Sequence, residues 1–270
     1  MKTWTREWNA AYAFVERSFR LIRRYLAWEV VFLFYNIVNT LTIGLIGLTM
    51  QGAPNQGQMV LYLVIGALFW GFMSVLFEEV ANSITWERWE GTIEYTFMAP
   101  IRRITHLAGM CLFALLYGTI RSIIVLAVVA FFFDLPLAQA NFPAALVVLT
   151  VASPAFMGLG LIAAVLPLLS PERGTQATHI IQGIILLVSG VYYPIDVLPK
   201  WLHPLSVLSP ATYALDAARD AILHGTGVIA LLPKLGILLL IGVVLVPLGL
   251  WIFLQAERYA MRTGKLKRSG

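Results

Sequence analysis

MVLYLVIGALFWGFMSVLFEEVANSITWERWEGTIEYTFMAPIRR, residues 59–103, decides the fold. Its first part, 59–82, is an apolar run that ends in two carboxylates. At about 1.5 Å per residue, a helix of that length crosses the roughly 30 Å hydrocarbon core of a bilayer. The second part, 86–103, then concentrates Glu87, Glu90, Glu94, Arg88, Arg102 and Arg103 among aromatic residues before the chain turns apolar again. A span, a short charged elbow and a return to apolar sequence predict a multi-pass membrane protein with one polar element standing outside the lipid.

Working outward, similar apolar runs occupy about 30–50, 107–133, 143–170, 177–194 and 228–255, so six spans are expected in an all-α membrane fold. Composition agrees: 59% of the 270 residues are hydrophobic and 12% charged, against about 25% charged in soluble domains. The polar stretches are too short to build a catalytic domain with its own core, so 1–270 reads as a single transmembrane domain.

Charge placement orients the spans, because Lys and Arg stay on the cytoplasmic side of short loops. Lys2, Arg6, Arg17, Arg20, Arg23 and Arg24 lie in 1–29; Arg88, Arg102 and Arg103 follow the second span; Arg258, Arg262, Lys265, Lys267 and Arg268 follow the sixth. Segments 51–58 and 134–142 hold no Lys or Arg, and 195–227 holds only Lys200 and Arg219. Both termini are therefore expected in the cytoplasm, with the protein in the plasma (inner) membrane. The net charge of +5 reads as topology plus attraction to anionic membrane lipids. Because the basic residues are dispersed, nucleic acid is not an expected partner.

No cleavable signal peptide is expected, since the first apolar run begins only near residue 30. Instead Trp4, Trp8, Ala11, Tyr12, Val15, Phe19 and Ile22 recur at helical spacing, predicting an amphipathic helix on the inner membrane surface. In the first span Asn36, Asn39, Thr40 and Thr42, then Gly44 and Gly47, read as close helix packing or as part of a substrate path. The fourth span carries Pro154, Gly158, Gly160 and Pro167, which permit kinks.

Between the fifth and sixth spans, Pro194, Pro199, Pro204 and Pro210 exclude one continuous helix, yet 194–225 remains apolar. Short helices dipping into the outer leaflet are expected there, one starting at Asp196 and another with Ser209 as N-cap and Pro210 as first residue, ending near Gly225. Tyr192 and Tyr193 precede them as aromatic candidates for the path or core.

Ionisable residues inside the spans are candidates for either the translocation path or the core. Glu78 and Glu79 fall near the inner end of the second span and Arg121 near the middle of the third. Arg121 is expected to face the subunit core and pair with a carboxylate or backbone carbonyls, with Glu78 a candidate if the helices are offset.

Covalent chemistry has little support. His106, His179, His203 and His224 are scattered, no H-E-x-x-H is present, and Cys111 is alone, so no metal site, intrachain disulfide or catalytic residue is expected. Ser189 and Asp196 form no recognisable triad. No G-x-x-x-x-G-K-[ST] loop is present to cradle phosphates, so no cofactor is expected in this chain.

On a helical wheel Glu87, Glu90 and Glu94 share a face beside an apolar stripe of Trp86, Trp89, Ile93 and Phe97, in a helix that Pro100 stops and that Gly91 weakens midway, so that one helix or two short ones are expected. These residues resemble the cytoplasmic segment of the type-two ABC exporter permeases, whose pattern is matched at Glu87, Arg88, Gly91, Thr92, Ile93, Glu94, Pro100, Ile101 and Arg103. A second stretch is similar to the family's other signature: Ser189-Gly190 through Pro194, Leu198-Pro199 with Trp201-Leu202, Ser209 to Ala214, and Asp216 to Arg219. Ser209 stands where Asn is common and Ala99 where Ser is. The resemblance is closest to the drug-export (daunorubicin-resistance-like) branch.

The resemblance implies a permease working as a pair, in a likeness to family homodimers, with two copies of a separate ATPase that binds ATP and Mg. The elbow at 86–100 would be the coupling helix docked on that ATPase. By that likeness Trp86, Glu87, Arg88, Trp89, Glu90, Gly91, Glu94 and Phe97 form the coupling site, the glutamates pairing with basic groups of the ATPase and Trp86, Trp89 and Phe97 seating the helix. The implied activity is outward movement of an amphiphilic or hydrophobic cargo, as in multidrug export, by alternating access. Export of a lipid-linked polysaccharide, an ATP-independent channel or carrier, and a membrane enzyme acting on lipid are the alternatives.

Overall fold

The computed structural model describes residues 2–49, 56–98, 101–135 and 137–263. Among the described residues the chain forms α-helices and two short 3-10 turns, with no strand. In order the helices are α1 (Lys2–Arg24), α2 (Leu26–Thr49), α3 (Gln56–Ala81), α4 (Ser83–Trp89), α5 (Ile93–Met98), α6 (Arg103–Phe133), α7 (Phe142–Ala163), α8 (Val165–Leu169), α9 (Pro171–Val188), α10 (His203–Leu208), α11 (Pro210–Leu223) and α12 (Val228–Arg262).

Five segments are long and apolar enough to cross a membrane: Leu26–Thr49, Gly57–Ala81, Arg103–Phe133, Phe142–Leu169 and Val228–Arg262. The expected fifth span, 177–194, is different. Its helix α9 starts earlier, at Pro171, and ends at Val188, leaving Thr178–Val188 as its apolar part. The helix stops because Gly190 takes a left-handed φ of +68° and reverses the chain.

α3 is the centre of the bundle. It is apolar around its circumference, as a helix covered on all sides must be, and 78% of its span is buried against 17% for α2 at the periphery. Its neighbours are α2, α6, α7 and α11. α7 packs tightly on α12 because glycines remove the side chains between them: a Cβ on Gly249 would lie 2.6 Å from the Gly158 carbonyl oxygen. Small residues of this kind let helices approach in lipid, where van der Waals contact does the work of association. α7 runs unbroken through Pro154, Gly158 and Gly160; the interruption falls at Ala164, before α8 with Pro167.

α11 inserts an alanine face, Ala211, Ala214, Ala217, Ala218 and Ala221, into the bundle against α3, α7 and α12. Pro210 begins it as expected, but the Ser209 side chain makes no capping bond to it. At the other end α1 packs along α6 with Phe14, Val15, Ser18 and Phe19 turned inward, while Trp8 and Tyr12 stay exposed. The end of the bundle carrying α1, α4 and the last turns of α12 is called the basic end below, and the end carrying α10 and α11 the far end.

Candidate functional site

The elbow after α3 is built as two short helices, the second of the two forms that Gly91 allows. α4 ends in a left-handed glycine, Gly91 at φ +71°, and the Thr92 amide donates back to the Glu87 carbonyl at 2.9 Å. This six-to-one bond over a glycine is the Schellman termination. It separates α5 from α4.

Glu87 is the central residue, and it points inward. Only 1% of it is exposed. Its Oε1 accepts from Arg17 of α1 at 3.1 Å and from the Thr96 hydroxyl of α5 at 3.3 Å. The His106 Nε2 of α6 lies 3.0 Å from the same oxygen, in contact but off the hydrogen-bond axis. Arg17 reaches further, donating to the Thr92 hydroxyl at 2.8 Å. Burial alone would raise the Glu87 carboxyl, but the neighbouring His106 and Arg17 outweigh it and hold the group below the usual carboxylate range.

From His106 the polar chain continues. Its ring is fully buried against Phe14, centroids 4.5 Å apart, and its Nδ1 lies 3.5 Å from Arg103 Nη1. Arg103 Nε in turn donates to Glu257 of α12 at 3.0 Å. One ionic knot thus ties α4 and α5 to α1, α6 and α12. The Thr105 hydroxyl adds a bond to Glu7 that keeps the Glu7 carboxyl low.

Glu90 is held separately. It accepts from the Tyr25 hydroxyl at 2.9 Å, between α1 and α2, with Arg24 at 3.9 Å. That bond raises the Tyr25 phenol above its ordinary value. Glu87 and Glu90, expected to pair with basic groups of an ATPase, are thus engaged by groups of this chain. Arg17, Tyr25 and His106 already occupy Glu87 and Glu90. Among the described side chains of the elbow the exposed ones are aromatic or apolar: Trp86 and Trp89, packed edge to face at 5.7 Å, then Tyr95 and Met98. The side chains of Arg88, Glu94 and Phe97, together with Pro100, lie outside the described residues.

The intramembrane candidates separate into three places. Asn36 and Arg121 meet with Thr40, Gly71 and Ser122 around a small open cleft of about 20 Å³ between α2, α3 and α6; Asn39 is exposed and does not line it. Arg121 bonds not to Glu78 but to the Tyr117 hydroxyl, at 2.9 Å, and Tyr117 donates to Glu29 of α2. Long side chains lean toward the N-terminus of their own helix, and this brings the Arg121 guanidinium one turn closer to the basic end. Glu79 faces Glu29 and Arg121 electrostatically, whereas Glu78 turns to the other side, 4.0 Å from His179 of α9. Tyr192 and Tyr193 lie at the far end, where the Tyr193 hydroxyl donates to the Leu187 carbonyl.

Residues that the elbow reading missed are Arg17, Thr96, His106, Arg103 and Glu257. Their partners lie up to 154 positions away, beyond the reach of any local spacing.

The profile of the ABC-2 type transporter family matches residues 9–223, from within α1 to the end of α11. The chain is also similar to "ABC transporter G family member 20" of Dictyostelium discoideum, 26% identical over 182 residues, 66% of this chain. The chain spans 24% of that relative's length.

Proposed function

The chain belongs to the ABC-2 type transporter family, and from that premise we propose that it is the membrane permease of an ATP-driven exporter. It is a multi-pass membrane protein; in this reading the basic end faces the cytoplasm of the plasma membrane. The 18 residues of α9, about 27 Å of helix, complete six spans, and α10 and α11 re-enter the outer leaflet. Two copies enclose the route, and an ATPase on a separate polypeptide, in two copies with ATP and Mg, drives alternating access. The cargo is an amphiphilic or hydrophobic small molecule.

The observation that carries this reading is the ionic knot around Glu87. A push on α4 and α5 is delivered at once to α1, α6 and α12, because a buried, charge-assisted network yields less readily than apolar contact. The contact with the ATPase then falls to the exposed aromatic ledge of Trp86 and Trp89, and the buried glutamates transmit.

The test is W86A/W89A in the complex purified with its co-encoded ATPase and reconstituted in vesicles. The expected result is an unchanged unfolding temperature with vanadate-sensitive transport reduced at least tenfold. Full transport in the double variant, or transport that continues without ATP, refutes the reading.

A further inference from the structure

The signature residues spread over 189–219 come together at the far end. Ser189 and Ser209, twenty positions apart, bond through their hydroxyls at 2.7 Å; since Ser189 donates to the Ile185 carbonyl, Ser209 is the donor of the pair. Arg219 of α11 reaches the same turn and donates to the carbonyls of Gly190, at 3.1 Å, and Val191, at 2.7 Å. Its guanidinium lies 3.6 Å above the Tyr62 ring of α3.

The Gly190 and Val191 carbonyls belong to the turn just past the end of α9, where a cation also meets the negative end of the helix dipole. The planar fork of arginine satisfies two carbonyls and a ring face together, which a lysine cannot do. Space for it is made by Gly66 on α3: a Cβ there would lie 2.2 Å from the Val191 carbonyl oxygen and 3.0 Å from Arg219 Nη2. α11 is itself bolted to α12, where Lys234 bridges Asp216 and Asp220 at 2.6 and 2.5 Å.

Along α9, Ile180, Ile184 and Leu187 are exposed, and beside the Arg219 bonds its far end is held by the Ser189–Ser209 bond and by Val188 packed on Leu198 and Leu202. We infer that Arg219 is a latch that keeps the far end of the bundle closed by fixing the terminus of α9 to α3 and α11. Releasing its two bonds frees α9 to swing outward while the block of α3, α7, α11 and α12 stays packed. This goes beyond the exporter reading and does not depend on which engine drives the cycle.

The experiment uses the full chain in lipid nanodiscs, with Cys111→Ala as background and a reporter thiol placed by Val188→Cys, a position 4% exposed beside the latch. The rate of reaction with a water-soluble maleimide is measured. Arg219→Gln is expected to speed it at least tenfold and Arg219→Lys by less. Gly66→Ala, whose methyl would crowd the Val191 carbonyl and the Arg219 guanidinium while leaving the arginine in the sequence, is expected to speed it as well. A second reporter, Val148→Cys in the core of α7, is expected to stay slow in every variant. Equal rates at position 188 with and without Arg219 overturn the latch, and so does acceleration at both reporters, which would mean general loosening. Because no ATPase is present, failure here leaves the coupling test untouched, and the reverse also holds.

Discussion

Replacing Glu87 by Gln keeps the shape of the side chain and removes its charge, so the cost measures the ionic knot itself. Removing one member of a buried ion pair costs about 3–5 kcal/mol when the other is left without water. The Arg17 side chain is 32% exposed and regains some hydration, whereas His106 and Thr96 are buried and do not. A loss of about 2–3 kcal/mol is therefore expected, equivalent to an unfolding temperature lower by roughly 5–10 °C at about 2–4 °C per kcal/mol. Glu90→Gln is the comparison: its bond to Tyr25 and looser approach to Arg24 should be worth about 1 kcal/mol or less. Unfolding in detergent can be followed with a thiol-reactive dye, because Cys111, on α6, is the one cysteine of the chain. Arg17→Gln combined with Glu87→Gln should then cost less than the two single losses summed. The reasoning fails if Glu87→Gln is no more damaging than Glu90→Gln, or if the pair adds within about 0.5 kcal/mol.

Acid should act through the same groups. The carboxyls of Glu87 and Glu7 are held low in the fold. Their stabilising share is therefore present above the ordinary glutamate value of about 4.3 and lost as pH falls through the lower folded values. Unfolding temperature should drop as pH falls below about 5, and the gap between wild type and Glu87→Gln should narrow with it; a gap that is as wide at pH 3 as at pH 7 contradicts this. At the α7–α12 crossing, Gly249→Ala should cost about 1–3 kcal/mol, since the new methyl meets backbone and cannot be accommodated by a rotamer change. Gly236→Ala, on the same helix with nothing within 4 Å of its Cβ, should be neutral or slightly stabilising in the same unfolding measurement.

The membrane fold was legible because apolar runs need no context: a long stretch without charges has few other places to go. Local punctuation was legible too, as Gly91 breaks the elbow and Pro210 starts α11. Orientation around a helix was harder. A wheel shows that Glu87 and Glu90 share a face, but which neighbour covers that face depends on where α1 and α6 lie. The partner of Arg121 escaped for a related reason: the wheel ignores the lean of a long side chain, which takes it to Tyr117 of its own helix. The fifth apolar run ended short because hydropathy does not register that Gly190 reverses the backbone in sequence that stays greasy.

Where Gly158 and Gly249 bring two main chains together, nothing soft remains between them to be squeezed or re-posed. The crossing of α7 and α12 therefore behaves as a keel, carried intact through whatever cycle the protein performs. Substitutions will be tolerated on the thinner outer planks, α2 and α9, and rejected along that spine.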